Sequence, residues 1–279
     1  MASDDALLHC AGELRRQDPD RHLITTLVPP PGRRAVVALF AFNLELARIR
    51  EQVSEPMLGE MRLQFWRDTL NELVAGKVRA HPVAQALGAA LPGQSLPLNP
   101  LLSLIDARAR DLDDAPPADM SELVSYAQHT AGALNVLALR VLGVTDREVA
   151  TAARAAGAGA AMVGLMRALP ALAAQRRLFV PAEVLMRLKV DREATFAGRH
   201  TPELGKAIGE VVAEAEIHLN AARKIPLPRV ARPIFGSVLL AVRDAQALRT
   251  ARGNPFAMKP RGPLSRQLTL ALSVLTGRV

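Results

Sequence analysis

Residues 40–70 read FAFNLELARIREQVSEPMLGEMRLQFWRDTL, and their apolar side chains recur every three or four positions. That spacing is typical of one face of an α-helix. It predicts one helix over 33–53 and a second helix over 56–76, with Pro56 in the first turn of the second. The first apolar face consists of Val36, Val37, Phe40, Ala41, Leu44 and Ala47. The second consists of Met57, Met61, Phe65, Leu70 and Leu73.

Helix signals recur outside this stretch, whereas strand signals do not. Thr145 followed by Glu148 is a capping-box pattern that predicts a long helix over 145–169. Thr201 before Pro202 predicts a helix over 201–223. Two more helices are expected over 233–252 and 264–275. With 48 alanines and nine aromatic residues among 279, the composition also favours helix. We therefore predict one all-α domain over 1–279, a helical bundle of roughly ten helices.

The positive charge is concentrated at the C-terminal end of the chain. The protein has a net charge of +8, and residues 223–279 contain eleven basic residues against one acid, Asp244. Within this basic segment, the apolar stretches Phe235–Val242 and Leu268–Leu275 are flanked by arginine. The pattern predicts docking on an anionic membrane face or an acidic partner. Nucleic-acid binding is not expected, because few aromatic residues are present to stack on bases and no known motif occurs.

Compartment signals are few. Cys10 is the only cysteine, so no intrachain disulfide can form and a reducing cytoplasm is expected. The N-terminal residues are acidic, unlike a signal peptide. Four prolines interrupt the long uncharged stretch 80–105, which therefore does not read as a membrane span. We predict a cytoplasmic protein that is at most peripheral at the inner membrane face.

Common catalytic motifs are absent from the sequence. Gly157 and Gly159 lie in an alanine-rich helix without the lysine of a phosphate-binding loop. The six histidines do not have metal-ligand spacing. An acidic cluster at 111–114 precedes Ala115-Pro116-Pro117 and reads as a solvated helix end rather than a cation site.

A series of short landmarks, in order along the chain, resembles the squalene/phytoene synthase family of all-helical head-to-head prenyltransferases. The resemblance implies the isoprenoid synthase type of helical bundle. It spans about Leu7 to Pro181, with a weaker likeness in the C-terminal helices. The landmarks that follow residues 40–70 are His81-Pro82-Val83, Leu104-Ile105-Asp106, Asp111-Leu112, Tyr126, Ala131-Gly132, Leu142-Gly143, Met166-Arg167 and residues 176–181.

Synthases of this family carry two aspartate-rich motifs whose carboxylates hold the magnesium ions that bind the substrate diphosphates. Metal is needed because hard cations on carboxylate oxygen neutralise the departing diphosphate. The resemblance places the motif positions on Ala47, Arg48, Glu51, Ala168 and Leu172, of which only Glu51 is acidic. No acid occurs between residues 149 and 182 that could substitute in the second motif.

The amino-acid sequence of residues 42–47, 53–55 and 61–66 is similar to that of the non-synthase branch of the family. This branch contains the mitochondrial complex I assembly factor. The resemblance implies a catalytically degenerate assembly factor or scaffold that needs no cofactor and has a protein partner. The alternative is an active prenyltransferase with an atypical magnesium site, supplied by Glu51 with Asp106 or Asp111.

Seven residues are candidates for a residual pocket that binds an isoprenoid, a lipid or an anionic group. The pattern favours a core aromatic for Trp66, and it favours solvated surface residues for Arg167, Arg176 and Arg177, whose guanidinium groups also match phosphate geometry. Glu45, Arg48 and Glu51 share a helix face and can pair with one another. The seven candidates are Phe40, Asn43, Arg62, Trp66, Arg167, Arg176 and Arg177.

Overall fold

A computed structural model of the chain describes residues 2–90, 98–259 and 262–276, without the side chains of residues 2, 3, 90 and 263. Over these residues the all-α prediction is confirmed, with fifteen α-helices rather than roughly ten and no strand. Part of the uncharged stretch 80–105 and part of the basic segment lie outside the described residues. The helices are α1 (Ala2–Gln17), α2 (Pro19–Leu27), α3 (Pro30–Arg48), α4 (Pro56–Val74), α5 (Pro82–Ala90), α6 (Leu98–Ala109), α7 (Met120–Ala127), α8 (Ala133–Val141), α9 (Arg147–Arg167), α10 (Leu169–Ala174), α11 (Ala182–Arg187), α12 (Arg192–Phe196), α13 (Pro202–Ala222), α14 (Arg232–Thr250) and α15 (Pro263–Thr276).

Local sequence signals set most helix boundaries. Thr201 caps α13 as predicted, its hydroxyl accepting a hydrogen bond from the Leu204 amide at 3.2 Å. The predicted Thr145 cap is wrong by one residue. Asp146 is the cap of α9, and its carboxylate accepts from the amides of Glu148 and Val149 at 2.8 and 3.0 Å. A carboxylate at this position also favours the positive end of the helix dipole.

The centre of the fold is α9, which packs against α8, α13 and α14. Small residues allow these backbones to approach closely. A Cβ on Gly157 would lie 2.4 Å from the Ala131 carbonyl oxygen, and one on Gly159 would lie 2.8 Å from that of Ala215. Ala131 belongs to a π-helical segment, Gln128–Gly132, between α7 and α8. The alanine-rich composition therefore serves close helix packing as well as helix propensity.

One helix among the described residues, α9, is long and apolar enough to cross a bilayer by length and composition. However, 56% of that apolar stretch is buried inside the protein. Its position between α13 and α14 is that of a core helix. Buried apolar residues from Ala6 to Leu270 form one continuous core around it.

Two predicted apolar faces are placed differently by the structure. On α4, the predicted core residues Met57 and Met61 are 73% and 64% exposed, and the buried face is formed by Leu63, Trp66 and Leu70. The Phe235–Val242 stretch, predicted as docking surface, lies on α14 with its first residue fully buried. It is held inside by contact with α9 and α15.

Candidate functional site

The first motif positions lie at the end of α3, where no carboxylate cluster forms among the described residues. Arg48 Nη1 lies 3.9 Å from Glu13 Oε2 of α1, an ion pair with both side chains partly buried. Ala47 is also partly buried, and Glu51 is exposed in the short 3₁₀ turn that follows α3. The position to which the resemblance assigns a metal-binding acid thus carries an arginine that has a carboxylate partner.

The second motif positions lie at the junction of α9 and α10. Ala168 is exposed, and Leu172 is partly buried. Arg167, directly before them, turns toward α14 and donates to Asp244 Oδ2 at 2.6 Å. The chain therefore offers an arginine–aspartate pair here, without the two acids expected of a synthase.

A cavity of about 220 Å³ lies between α2, α3, α9 and α14. Phe40, with its ring beneath the Arg21 guanidinium at 5.8 Å, contributes an aromatic surface. Phe40 and Arg167 are the two predicted pocket residues that line this cavity. The rest of its apolar lining comes from small and aliphatic residues: Ile24, Ala131, Gly157, Ala160, Ala161, Val163, Gly164, Leu240 and Ala241.

Three acids, which sequence reasoning had not singled out as site residues, also line the cavity. Each has an arginine partner. Arg21 Nη1 lies 2.5 Å from Asp18 Oδ2, and Arg266 Nη1 lies 2.8 Å from Asp20 Oδ1. The third acid is the Asp244 partner of Arg167.

Burial raises the pKa of Asp20 even with Arg266 beside it. Because each of the three acids has an arginine partner, the lining has little net charge to attract a cation. Two of these cavity acids stand out in the sequence for other reasons. Asp18 before Pro19 reads as a helix cap, and Asp244 is the one acid of the basic segment. Neither signal indicates that the residue faces a cavity.

A wider groove of about 790 Å³ runs along α14 on the outer side of this cavity. Arg167 and Asp244 line both spaces. The groove adds Arg243, Lys259 and Arg266, so four cationic side chains face one carboxylate. Such a surface can attract an anionic group without a metal ion.

Asn43 and Arg177 are brought together in a buried polar network instead of at the cavity. Arg108 is its centre and donates to Asn43 Oδ1 at 3.2 Å and to Asp111 Oδ2 at 3.1 Å. Tyr126 donates to the other oxygen of Asp111 at 2.6 Å, and Arg177 donates to the Asp111 carbonyl at 2.9 Å. Burial raises the pKa of Tyr126, which keeps its proton for this bond. The network ties α3, α6 and α7 to the segment after α10.

The alternative magnesium site would need Glu51 with Asp106 or Asp111. Asp111 is already held by Arg108 and Tyr126, and Arg67 donates to Asp106 Oδ1 at 2.9 Å. The described part of the chain contains no group of three or more histidine, cysteine, aspartate or glutamate side chains placed to hold a metal ion.

The remaining candidates lie away from the cavity. Trp66 is a core aromatic, with ring centroids 5.3 Å from Phe42 and 5.0 Å from His81. Arg62 is exposed and donates to Gln52 at 2.6 Å. Arg176 is exposed as well and pairs with Glu193 at 2.6 Å.

The lone thiol is enclosed rather than reactive. Cys10 is fully buried, and burial raises its pKa to about 12, which suppresses the thiolate form that reacts.

Comparison with known sequences gives a consistent grouping. Residues 14–271 match the family model described as squalene/phytoene synthase. The mouse protein named NADH dehydrogenase (ubiquinone) complex I, assembly factor 6 is 33% identical over 230 residues, covering 82% of this chain and 69% of that protein. A chloroplastic phytoene synthase of Daucus carota is 24% identical over 228 residues, covering 78% of this chain and 57% of that protein.

A solved structure supports the same fold. A dehydrosqualene synthase in complex with ligand matches this chain with a TM-score of 0.85 at 16% identity. The match covers 99% of this chain and 97% of that one, and at such identity it concerns the fold alone.

Proposed function

The chain belongs to the squalene/phytoene synthase family, and we propose that within this family it acts as a non-catalytic assembly factor of the respiratory NADH dehydrogenase. One observation carries the loss of catalysis: Arg48 stands where the synthases carry a metal-binding acid and is paired with Glu13. The role in assembly is supported by the mouse relative named complex I assembly factor 6. The absence of acids between residues 149 and 182 also supports the loss of magnesium-dependent catalysis.

The physical argument against synthase chemistry concerns charge. Diphosphate departure from an allylic carbon needs cations that neutralise the charge on the leaving oxygens. Ala47, Ala168 and Leu172 supply no oxygen ligand, and Arg48 repels a nearby metal ion. Glu51 alone is a weak magnesium ligand, because it is exposed and one carboxylate replaces few of the waters that magnesium holds.

The size of the cavity supports the same reading. Head-to-head synthesis requires two long prenyl chains to lie side by side. The cavity measures about 220 Å³, whereas sites for drug-sized ligands span roughly 300–1,000 Å³. We propose that the cavity accepts a short apolar segment, such as part of one isoprenoid or lipid chain, and no second chain.

An assembly factor needs a surface for its protein partner, and we propose that this surface lies on α4. The side chains of Met57, Leu58, Met61 and Phe65 are 36–73% exposed on the side of α4 that faces away from the core. We call this set the α4 outer face. Methionine and phenylalanine are enriched in protein interfaces, where flexible thioethers adapt to a partner.

The charges beside the α4 outer face define the partner further. Glu55 and Glu60 are exposed close to it in sequence, Arg62 is exposed beside Met61, and the Arg79 guanidinium lies 4.8 Å from the centroid of the Phe65 ring. An apolar patch with carboxylates and guanidinium groups at its edge favours a partner helix with apolar residues on one side and charges of both signs at its border.

The first experiment tests the loss of catalysis. Purified protein is incubated with farnesyl or geranylgeranyl diphosphate and magnesium, and released pyrophosphate and prenyl products are measured. We expect neither above the level of a no-protein control. Steady pyrophosphate release with formation of a joined prenyl product would overturn the proposal and favour the alternative prenyltransferase.

The second experiment tests the role in assembly. The gene is deleted in a host that makes NADH dehydrogenase, and assembled enzyme is followed on native gels. Wild-type protein and Glu51→Ala should both restore assembly, because no metal ligand is needed. The double variant Met57→Glu with Met61→Glu should not restore it.

Met186→Glu serves as the matched control for that double variant, because Met186 is as exposed as Met57 but lies on α11. It should behave like wild type. Normal assembly in the deletion strain itself would refute the assembly role, whereas failure of Glu51→Ala would point back to a metal-dependent activity.

We further propose that the protein works in the cytoplasm at the inner membrane face. Support comes from the basic segment, which contains eleven basic residues and one acidic residue. Fractionation of the host should recover the protein with membranes at low salt and release much of it at high salt, because exposed charges are screened.

A further inference from the structure

The last described helix presents a line of leucines to the outside. Leu264, Leu268, Leu272 and Leu275 of α15 are between 53% and 77% exposed. Their spacing of four, four and three residues places them on one side of the helix. We call this set the α15 outer face.

The opposite side of α15 is fixed to the protein. Thr269, Leu270 and Ser273 are buried, and α15 packs against α14 and α2. Arg243 of α14 donates to the Thr269 hydroxyl, and Arg232 donates to the Val274 carbonyl at 3.3 Å. Rotation of the helix to bury its leucines would expose Leu270 and break these bonds, so the α15 outer face stays outward.

Charge on α15 itself does not oppose an apolar environment. Its one charged residue, Arg266, turns inward to Asp20. The polar residues that border the leucines, Ser265, Gln267 and Thr276, are uncharged. Burying this border therefore carries no cost of desolvating a charge.

The surroundings of α15 are basic. After Asp244 the sequence contains six basic residues and no acid. On the helices packed against α15, Asp20 pairs with Arg266 and Asp244 pairs with Arg167. Asp18, which caps α2, pairs with Arg21. Arg252 and Lys259 are exposed on the segment that leads into α15.

We propose that α15 lies in the headgroup region of an anionic bilayer, with its outer face among the acyl chains and the exposed Arg252 and Lys259 near the lipid phosphates. This refines the proposed placement at a membrane and is independent of the role in assembly. Leucine on one side of an interfacial helix supplies apolar burial, and nearby cations add attraction to anionic lipid.

A bilayer suits this surface better than a protein partner or a second copy of the chain. Leucine is under-represented among the residues that dominate protein–protein binding, which favour aromatic and arginine anchors. The α15 outer face has neither. A fluid acyl region needs no shape complementarity, so four leucines and a neutral border suffice.

Flotation of the full chain with lipid vesicles tests the proposal. Vesicles of phosphatidylcholine alone are compared with vesicles that contain about 30% phosphatidylglycerol. We expect binding to the anionic vesicles only, weakened by salt. In Leu268→Glu with Leu272→Glu, the partition coefficient should fall roughly a hundredfold.

The matched control is Met57→Glu with Met61→Glu, which places the same two charges on the α4 outer face and should bind vesicles like wild type. Leu268→Ser with Leu272→Ser provides a milder second variant if the glutamates disturb folding, which thermal melting followed by circular dichroism reports. Equal binding to neutral vesicles, or unchanged binding by a folded leucine variant, overturns the proposal. So does a wild-type dimer in light scattering that the leucine variant abolishes, since a second copy would then cover this face.

Discussion

The helices α4 and α15 resemble each other in one respect and differ in another. Each has an inner apolar side buried in the core and an outer apolar side exposed to solvent. The α4 outer face contains methionine and phenylalanine and lies near exposed glutamates, whereas the α15 outer face contains four leucines in a segment without acids. The two faces are therefore similarly hydrophobic, but charges of both signs border the α4 outer face. Among the described residues of the segment that leads into α15, the charged side chains are all cations. For this reason we assign a protein partner to one face and a bilayer to the other.

The inner sides of both helices pack closely against their neighbours. On α4, Gly59 packs so closely on Leu112 that an added Cβ would lie 2.3 Å from a Leu112 methyl carbon. On α15, Thr269 and Ser273 let the helix lie close to its neighbours. In both helices a small residue on the inner side allows close approach to a neighbour, and the large residues beside it, Trp66 on α4 and Leu270 on α15, fill the core.

The largest expected effect is on the inner side of α4. Trp66→Ala should lower the free energy of unfolding by about 3–5 kcal/mol, because it removes a buried ring that touches Phe42 and His81. Urea denaturation followed by circular dichroism measures the change. A loss below about 1 kcal/mol would mean that the inner side of α4 is not part of the core.

A somewhat smaller loss is expected on the inner side of α15. Leu270 is 1% exposed and packs against Gly236 of α14. Leu270→Ala should lower the free energy of unfolding by about 2–4 kcal/mol. Leu272→Ala, two residues further on and on the outer face, is the control and should change the free energy of unfolding little. Equal losses in both variants would contradict the orientation of α15.

A histidine lies near the inner side of α4 and another near that of α15. The free energy of unfolding should therefore depend on pH through both histidines. Burial lowers the pKa of His81, beside Trp66, and of His22 on α2, which shares a surface hollow with Leu270. Below about pH 6.5 the unfolded chain takes up protons that the folded chain resists. The histidine contribution to stability is therefore complete above that pH and is lost as pH falls below it, by at most about 1.4 kcal/mol per pH unit for each histidine.

Urea denaturation at several values between pH 5.5 and 7.5 measures this slope. His81→Asn keeps an acceptor for the Val83 amide, which now donates to His81 Nδ1 at 3.2 Å, and should flatten the slope. His22→Gln should flatten it further when added to the first change. A slope unchanged in the double variant would assign the pH dependence to other groups.

The smallest effect is expected on the outer faces. Met61→Gln and Leu268→Gln should each change the free energy of unfolding by no more than about 0.5 kcal/mol, because both side chains are already more than 60% exposed. Thermal melting suffices as a measurement. A loss above about 1.5 kcal/mol at either site would show that the face is covered within the protein itself.

Helix type and many boundaries were predictable, because caps and first-turn prolines act through the nearest backbone amides. Thr201 with Pro202 begins α13 as expected. Thr145 did not begin α9, because the adjacent Asp146 accepts two amide bonds where the hydroxyl would accept one. The number of helices was underestimated, since short elements such as α10, α11 and α12 have too few residues for a clear apolar period.

The orientation of α4 could not be derived from periodicity. Met57, Met61 and Phe65 follow one helical spacing, and Leu63, Trp66 and Leu70 follow another. Either set satisfies the pattern, and the choice depends on Gly59 meeting Leu112, which is distant in sequence. Of the predicted pocket residues, Phe40 and Arg167 line the cavity, whereas Asn43 and Arg177 join the Arg108 network, and no local pattern distinguishes these two placements.

The sequence by itself determined an all-helical member of the family. It also determined that four of the five positions that the resemblance assigns to the metal motifs lack a carboxylate, because residue identity alone decides whether a side chain can bind metal. The tertiary structure alone decided that Arg48 pairs with Glu13 and that Asp18, Asp20 and Asp244 meet arginines around the cavity. It also decided that Phe235–Val242 is core while the α15 leucines are outside. The physical reason is that charge pairing and burial depend on contacts between residues far apart in the chain, which no local pattern records.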